Sequence, residues 1–174
     1  MERQGDVHGL YVLSVSLHIL AATLWIGGMG FLVLVVVPWL RAGGRSVAGL
    51  LLRETGPRFR TVGWVCFGVL VLTGTFNLWV RGVRFASFVD PVWLASPFGK
   101  AVLAKLAVFA IVLLVSAHHD FVVGPQATAA IEADPSSEET ARLRKLAQRA
   151  GRLNASLALV LVGIAVTLVR GVPW

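Results

Sequence analysis

Residues 10–39 read LYVLSVSLHILAATLWIGGMGFLVLVVVPW and contain no Asp, Glu, Lys or Arg. As a helix rising about 1.5 Å per residue, this stretch is longer than the roughly 30 Å hydrocarbon core of a bilayer, so it reads as a membrane span. One side chain that ordinarily titrates near neutral pH, His18, lies within it. An ionisable group inside a membrane costs free energy unless it is paired or ligates something, which makes His18 the first candidate for function.

Three further apolar runs, 61–80, 101–123 and 153–169, each approach or exceed the length a spanning helix needs. Hydrophobic residues make up 56% of the 174 positions and charged residues 14%, with a mean hydropathy of +0.77, against a charged fraction of about 25% in soluble domains. The expectation is an all-α integral membrane protein: one domain over 1–174, an antiparallel four-transmembrane-helix bundle with both termini periplasmic. Glu2 and Asp6 outweigh Arg3 at the N-terminus, and the apolar run behind them is too long for a cleavable signal, so it is kept as the first span. Cys66 is the single cysteine, which excludes an intramolecular disulfide and a CxxC metal site.

The net charge of +7 is distributed by loop. Arg41, Arg45, Arg53, Arg58 and Arg60 lie between the first and second spans, and Arg142, Arg144, Lys145, Arg149 and Arg152 between the third and fourth. Arg3, Arg81, Arg84, Lys100 and Arg170 fall on the other side, so ten basic residues oppose five. The positive-inside bias then puts the richer side in the cytoplasm. Those cations suit anionic lipid headgroups. Phe59 is the only aromatic in these loops, too few for stacking on nucleic acid, and no nucleic-acid partner is expected.

Ser136 and Glu139 fit a capping box after Pro135, so the last helix is expected to begin about 137, ahead of its span. Its extension, 137–152, carries Arg142, Lys145, Arg149 and Arg152 on one stripe. The loop 81–99 is different in kind: Phe85, Phe88, Trp93 and Phe98 suit an interfacial anchor or a lid.

Measured from the midpoints of the runs, His18, Lys105 and Asn77 fall roughly 10 Å to the outer side on three different spans. His118 and His119 fall a similar distance to the inner side, near Cys66 and Asn154. Lys105, Phe109, Val112, Ser116 and His119 share one helical stripe. Lys105 either joins His18 or snorkels to the headgroups, and the His118-His119-Asp120 run either binds a metal or is the wet end of a span. Around His18, the positions Ser14, Ala21, Ala22, Trp25, Gly28 and Met29 form a face of small residues flanking one large aromatic. Thr23, Gly27 and Gly30 add a second small face of the kind used for helix association in lipid.

Three segments carry a family resemblance: LHILAATLWIGGMGFLVLVVVP, FGKAVLAKLAVFAIVLLVSAHHDFVVGP and GRLNASLALVLVGIAVTLVRG. They resemble the copper resistance D (CopD) family and, more distantly, the four-helix HemJ family of protoporphyrinogen oxidases. The first resemblance implies an inner-membrane protein of copper homeostasis or transport; the second implies haem b and redox chemistry. His18 matches the first-helix histidine of both patterns, Lys105 the third-helix lysine of the HemJ-like pattern, and His118 or His119 the histidine near that helix's end. Many CopD proteins have about twice as many spans, so this chain is expected to be a lone four-helix module or half of a dimer.

Cu(I) prefers soft sulfur ligands, yet beyond the initiator only Met29 and Cys66 supply sulfur, so a copper path leans on histidine. Haem asks for an axial nitrogen, an apolar slot and cations for its propionates, which His18, the Ala21-Ala22 face, Lys105 and Arg81 or Arg84 supply. The candidate cofactor residues are therefore His18, Lys105, Trp25 and Asn77, and the candidate metal ligands His18, His118 and His119. Copper ion or haem b stays open, so enzyme activity stays open too. A third reading is a docking subunit of a larger membrane complex. Hydrolase and nucleotide-binding motifs are absent: the sequence has no GxSxG, P-loop or HExxH.

Overall fold

A computed structural model describes residues 2–42 and 45–170. Of the basic residues counted above, Arg3, Arg41, Arg45 and Arg53 have side chains outside the described set. The chain runs α1 (Glu2–Phe31), a π-helical segment (Leu32–Val36), α2 (Val37–Ala42), α3 (Arg45–Val80), a 3-10 turn (Phe85–Val89), α4 (Pro91–Ala95) and α5 (Pro97–His118). A second π-helical segment (His119–Val123), α6 (Gly124–Ala133) and α7 (Glu138–Arg170) complete it, with no strand among the described residues. Four stretches are long and apolar enough to cross a membrane: Asp6–Trp39, Glu54–Val80, Pro97–Ala133 and Glu138–Arg170.

Each long helix is continuous because its apolar residues have good helix propensity and lipid leaves backbone groups no other partner. The two π segments have a common cause. Val37 N–H reaches back to the Leu32 carbonyl and Gly124 N–H to that of His119, and in each case the next residue is a proline, Pro38 or Pro125. A proline ring collides with the carbonyl four residues back, and widening the preceding turn relieves the collision. His18 and Lys105 each stand twenty residues ahead of their proline, so the two halves of the chain repeat one plan.

α1 packs on α3, and α5 on α7. The first pairing uses the small-residue face around His18: Trp25 lies on Phe67 with ring centroids 5.1 Å apart, beside Gly63, and a Cβ on Gly28 would come 2.7 Å from Phe59 Cε2. Gly28 is therefore a close-approach position. Gly27 and Gly30 have open space where a side chain would stand, so that second small face packs on nothing among the described residues. The second pairing centres on Val112, Ser116, Asn154 and Ala158, with Asn154 Nδ2 donating to Ser116 Oγ at 2.9 Å. A shared core of Ala21, Trp25, Met29, Cys66, Phe67, Leu70, Val112, Ala158 and Leu161 joins the pairs.

Ser137, not Ser136, caps α7, accepting from Thr140 N–H at 3.2 Å. Ser136 instead donates its hydroxyl and backbone N–H to Asp134 Oδ1, because the preceding turn is built around that carboxylate. Arg142, Lys145, Arg149 and Arg152 are all exposed along the start of α7. In the 81–99 loop, Phe85 is exposed, whereas Phe88 and Trp93 pack on each other with ring centroids 5.2 Å apart.

Candidate functional site

His18 projects from α1 onto α3, where its Nδ1 lies 2.8 Å from Thr73 Oγ1. Thr73 has one hydroxyl proton, and that hydroxyl donates to the Val69 carbonyl at 2.6 Å. The hydroxyl oxygen is therefore the acceptor in the pair, and Nδ1 must carry the ring proton. By elimination the Nε2 lone pair of the neutral imidazole is free to ligate. A backbone-anchored partner of this kind is what orients ligating histidines in metal sites.

The ring fits because Gly74 lacks a side chain: a Cβ there would stand 3.4 Å from His18 Cε1. Ser14, one turn away on α1, donates to the Thr73 carbonyl at 3.4 Å, a weak second tie. Asn77 follows Thr73 by one turn, and its Oδ1 is buried with no hydrogen-bond partner. A buried amide oxygen left unpaired costs roughly 1–3 kcal/mol, so it is an acceptor in want of a donor or a cation. Lys105 on α5 is half-buried. Arg81 is held at the end of the bundle by donating to Tyr11 Oη at 3.3 Å.

Among the sequence candidates, His18 meets α3 at Thr73, one turn from Asn77, while Lys105 stands on α5. Trp25 is 6% exposed and packs two turns deeper on Phe67. His119 pairs with Asp120 through Nδ1 and Oδ1 at 2.9 Å, whereas His118 next to it is exposed. No group of three or more His, Cys, Asp or Glu able to hold a metal occurs among the described residues. Cys66 and Met29 are buried in the shared core.

Two pairings of the candidate residues were not legible in the sequence. Thr73 looks in sequence like any small hydroxyl used for helix packing, and only its pairing with His18 reveals its role. Asp120 lies inside the third apolar run and accepts from Trp64 Nε1 at 3.0 Å as well as from His119. A lone carboxylate in an apolar run was the signal that could have found it.

A comparison with known protein families matches residues 53–168 to Copper resistance protein D. The chain belongs to the CopD family. The matched residues hold Thr73, Asn77, Lys105 and both histidines at the end of α5, while His18 precedes them. An uncharacterized protein of Aquifex aeolicus (strain VF5) is 29% identical over 160 residues, covering 91% of this chain and 95% of that one. No solved structure matches. Membership makes this CopD-family chain a membrane protein related to copper resistance.

Proposed function

We propose that this protein handles copper in a bacterial inner membrane, with both termini outward and an antiparallel four-helix bundle around a transfer site centred on His18. The observation that carries the reading is the Val69–Thr73–His18 chain of hydrogen bonds, which leaves Nε2 as the free donor. Asn77 Oδ1 is a second donor in the same part of the bundle. Imidazole and amide oxygen suit Cu(II) better than Cu(I), and so few ligands give weak binding, which suits an ion that must leave again. The exposed basic residues at the opposite end support the orientation.

The test is elemental analysis and absorption spectroscopy of the detergent-purified protein. Wild type equilibrated with excess Cu(II) is expected to bind copper, and His18→Ala to lose most of that binding while remaining helical and monodisperse. Full copper retention by His18→Ala overturns the assignment. A Soret band with a reducible α band in the wild type would replace copper by haem b as the ligand of the same imidazole.

A further inference from the structure

At the end of the bundle opposite His18, a groove of about 420 Å³ opens between α3 and the second π segment, lined by Arg60, Thr61, Trp64, Val65 and Phe121. Thr61, Val65 and Phe121 are exposed, so the groove faces outward rather than into the bundle. Its floor is apolar and aromatic, with Trp64 and Phe121 rings 5.4 Å apart, and its one charge is the Arg60 guanidinium.

Arg60 is held in place by backbone chemistry. In a π segment each carbonyl looks for a donor five residues ahead. For Asp120 that residue is Pro125, which has no N–H, so the carbonyl is orphaned. Arg60 NH1 donates to it at 3.1 Å, and the guanidinium lies over the Phe121 ring at 5.7 Å. One of five N–H donors is thereby used, leaving a fork of the geometry that phosphate accepts. The Asp120 carboxylate is turned to Trp64 and His119, through Oδ2 and Oδ1.

Depth identifies the ligand. Arg60 and Arg81 bracket a stretch of α3 without a charged residue, and their separation along the helix is about 31 Å, close to the hydrocarbon thickness of a bilayer. Arg81 marks one membrane face and Arg60 the other. The guanidinium therefore stands at phosphate level, and the wall of Trp64, Val65 and Phe121 at the level of the first acyl carbons. We infer that this groove is a binding site for one anionic phospholipid, its phosphate on Arg60 and its acyl chain along Trp64 and Phe121. Basic pockets between spans are a known form of headgroup recognition.

Trp64 is a built-in reporter. Protein in detergent micelles is titrated with brominated phosphatidylglycerol or brominated phosphatidylcholine, and the Trp64 signal is taken as the difference between wild type and Trp64→Phe. Quenching is expected to saturate at a several-fold lower mole fraction of the anionic lipid. Arg60→Gln should erase that preference, and Arg58→Gln, which removes an exposed neighbouring cation, should keep it. Equal quenching by the two lipids in wild type overturns the inference, whether or not Arg60→Gln folds. So does loss of the preference in Arg58→Gln, which would mean diffuse charge attraction. Suppression by millimolar inorganic phosphate also overturns it, by assigning the guanidinium to a soluble anion.

Discussion

Thr73 gives His18 its chemistry at the scale of one residue. Replacing it by Val keeps the shape but leaves Nδ1–H facing a methyl group, at a cost of about 1–3 kcal/mol for the unpaired donor. The ring is then free to move its proton to Nε2. Thr73→Val should lower copper affinity about 10- to 100-fold, the usual effect of removing an outer partner of a metal-bound histidine. Isothermal titration of detergent-solubilised variants checks this, and Thr73→Ser, which restores a hydroxyl, should recover most of the loss. Unchanged affinity in Thr73→Val would show that the tautomer is set elsewhere. His18 itself was legible in the sequence because a titratable group in an apolar run stands out; its partner was not, because a hydroxyl in a helix bonds its own backbone as readily as a neighbour.

Between elements, the second π segment and Arg60 depend on each other through the orphaned carbonyl. Pro125→Ala supplies the missing N–H, so the helix can close on itself and Arg60 loses its backbone role. In a double-mutant cycle, Arg60→Gln should therefore cost about 1 kcal/mol less in the Pro125→Ala background than in wild type, measured by denaturant unfolding in micelles. Additive costs would mean the two residues act independently. The turn before α7 offers a second element-scale test. Hydrogen bonds from the Ser136 hydroxyl and backbone hold the Asp134 carboxyl below its ordinary value of 3.8. A lowered folded value means that the ionised form stabilises the turn above 3.8, and that this contribution is lost as pH falls through the lower value. Asp134→Asn should thus lower the thermal midpoint at neutral pH and match wild type in strong acid. Prolines 38 and 125 were visible in the sequence, but whether a proline kinks, ends or widens a helix depends on which carbonyl its neighbours can satisfy, and that is decided by side chains from other helices.

For the whole molecule, four spans and an all-helical chain were legible because hydropathy and length alone specify them. The register between spans was not. Run midpoints set Asn77 level with His18, whereas the contacts give that place to Thr73, one turn away, since the fit of Gly28 against Phe59 and of Trp25 beside Gly63 fixes how far one helix slides on the other. α1 with α3 and α5 with α7 are two versions of a helical hairpin, each with a widened turn one residue before a proline.

That repetition has a consequence for the electrostatics of the two halves. The position twenty residues ahead of each proline carries an imidazole in one half and an ammonium in the other. Two hairpins alike in backbone plan are therefore unlike in charge, and a change at either position leaves the widened turn beyond it untouched.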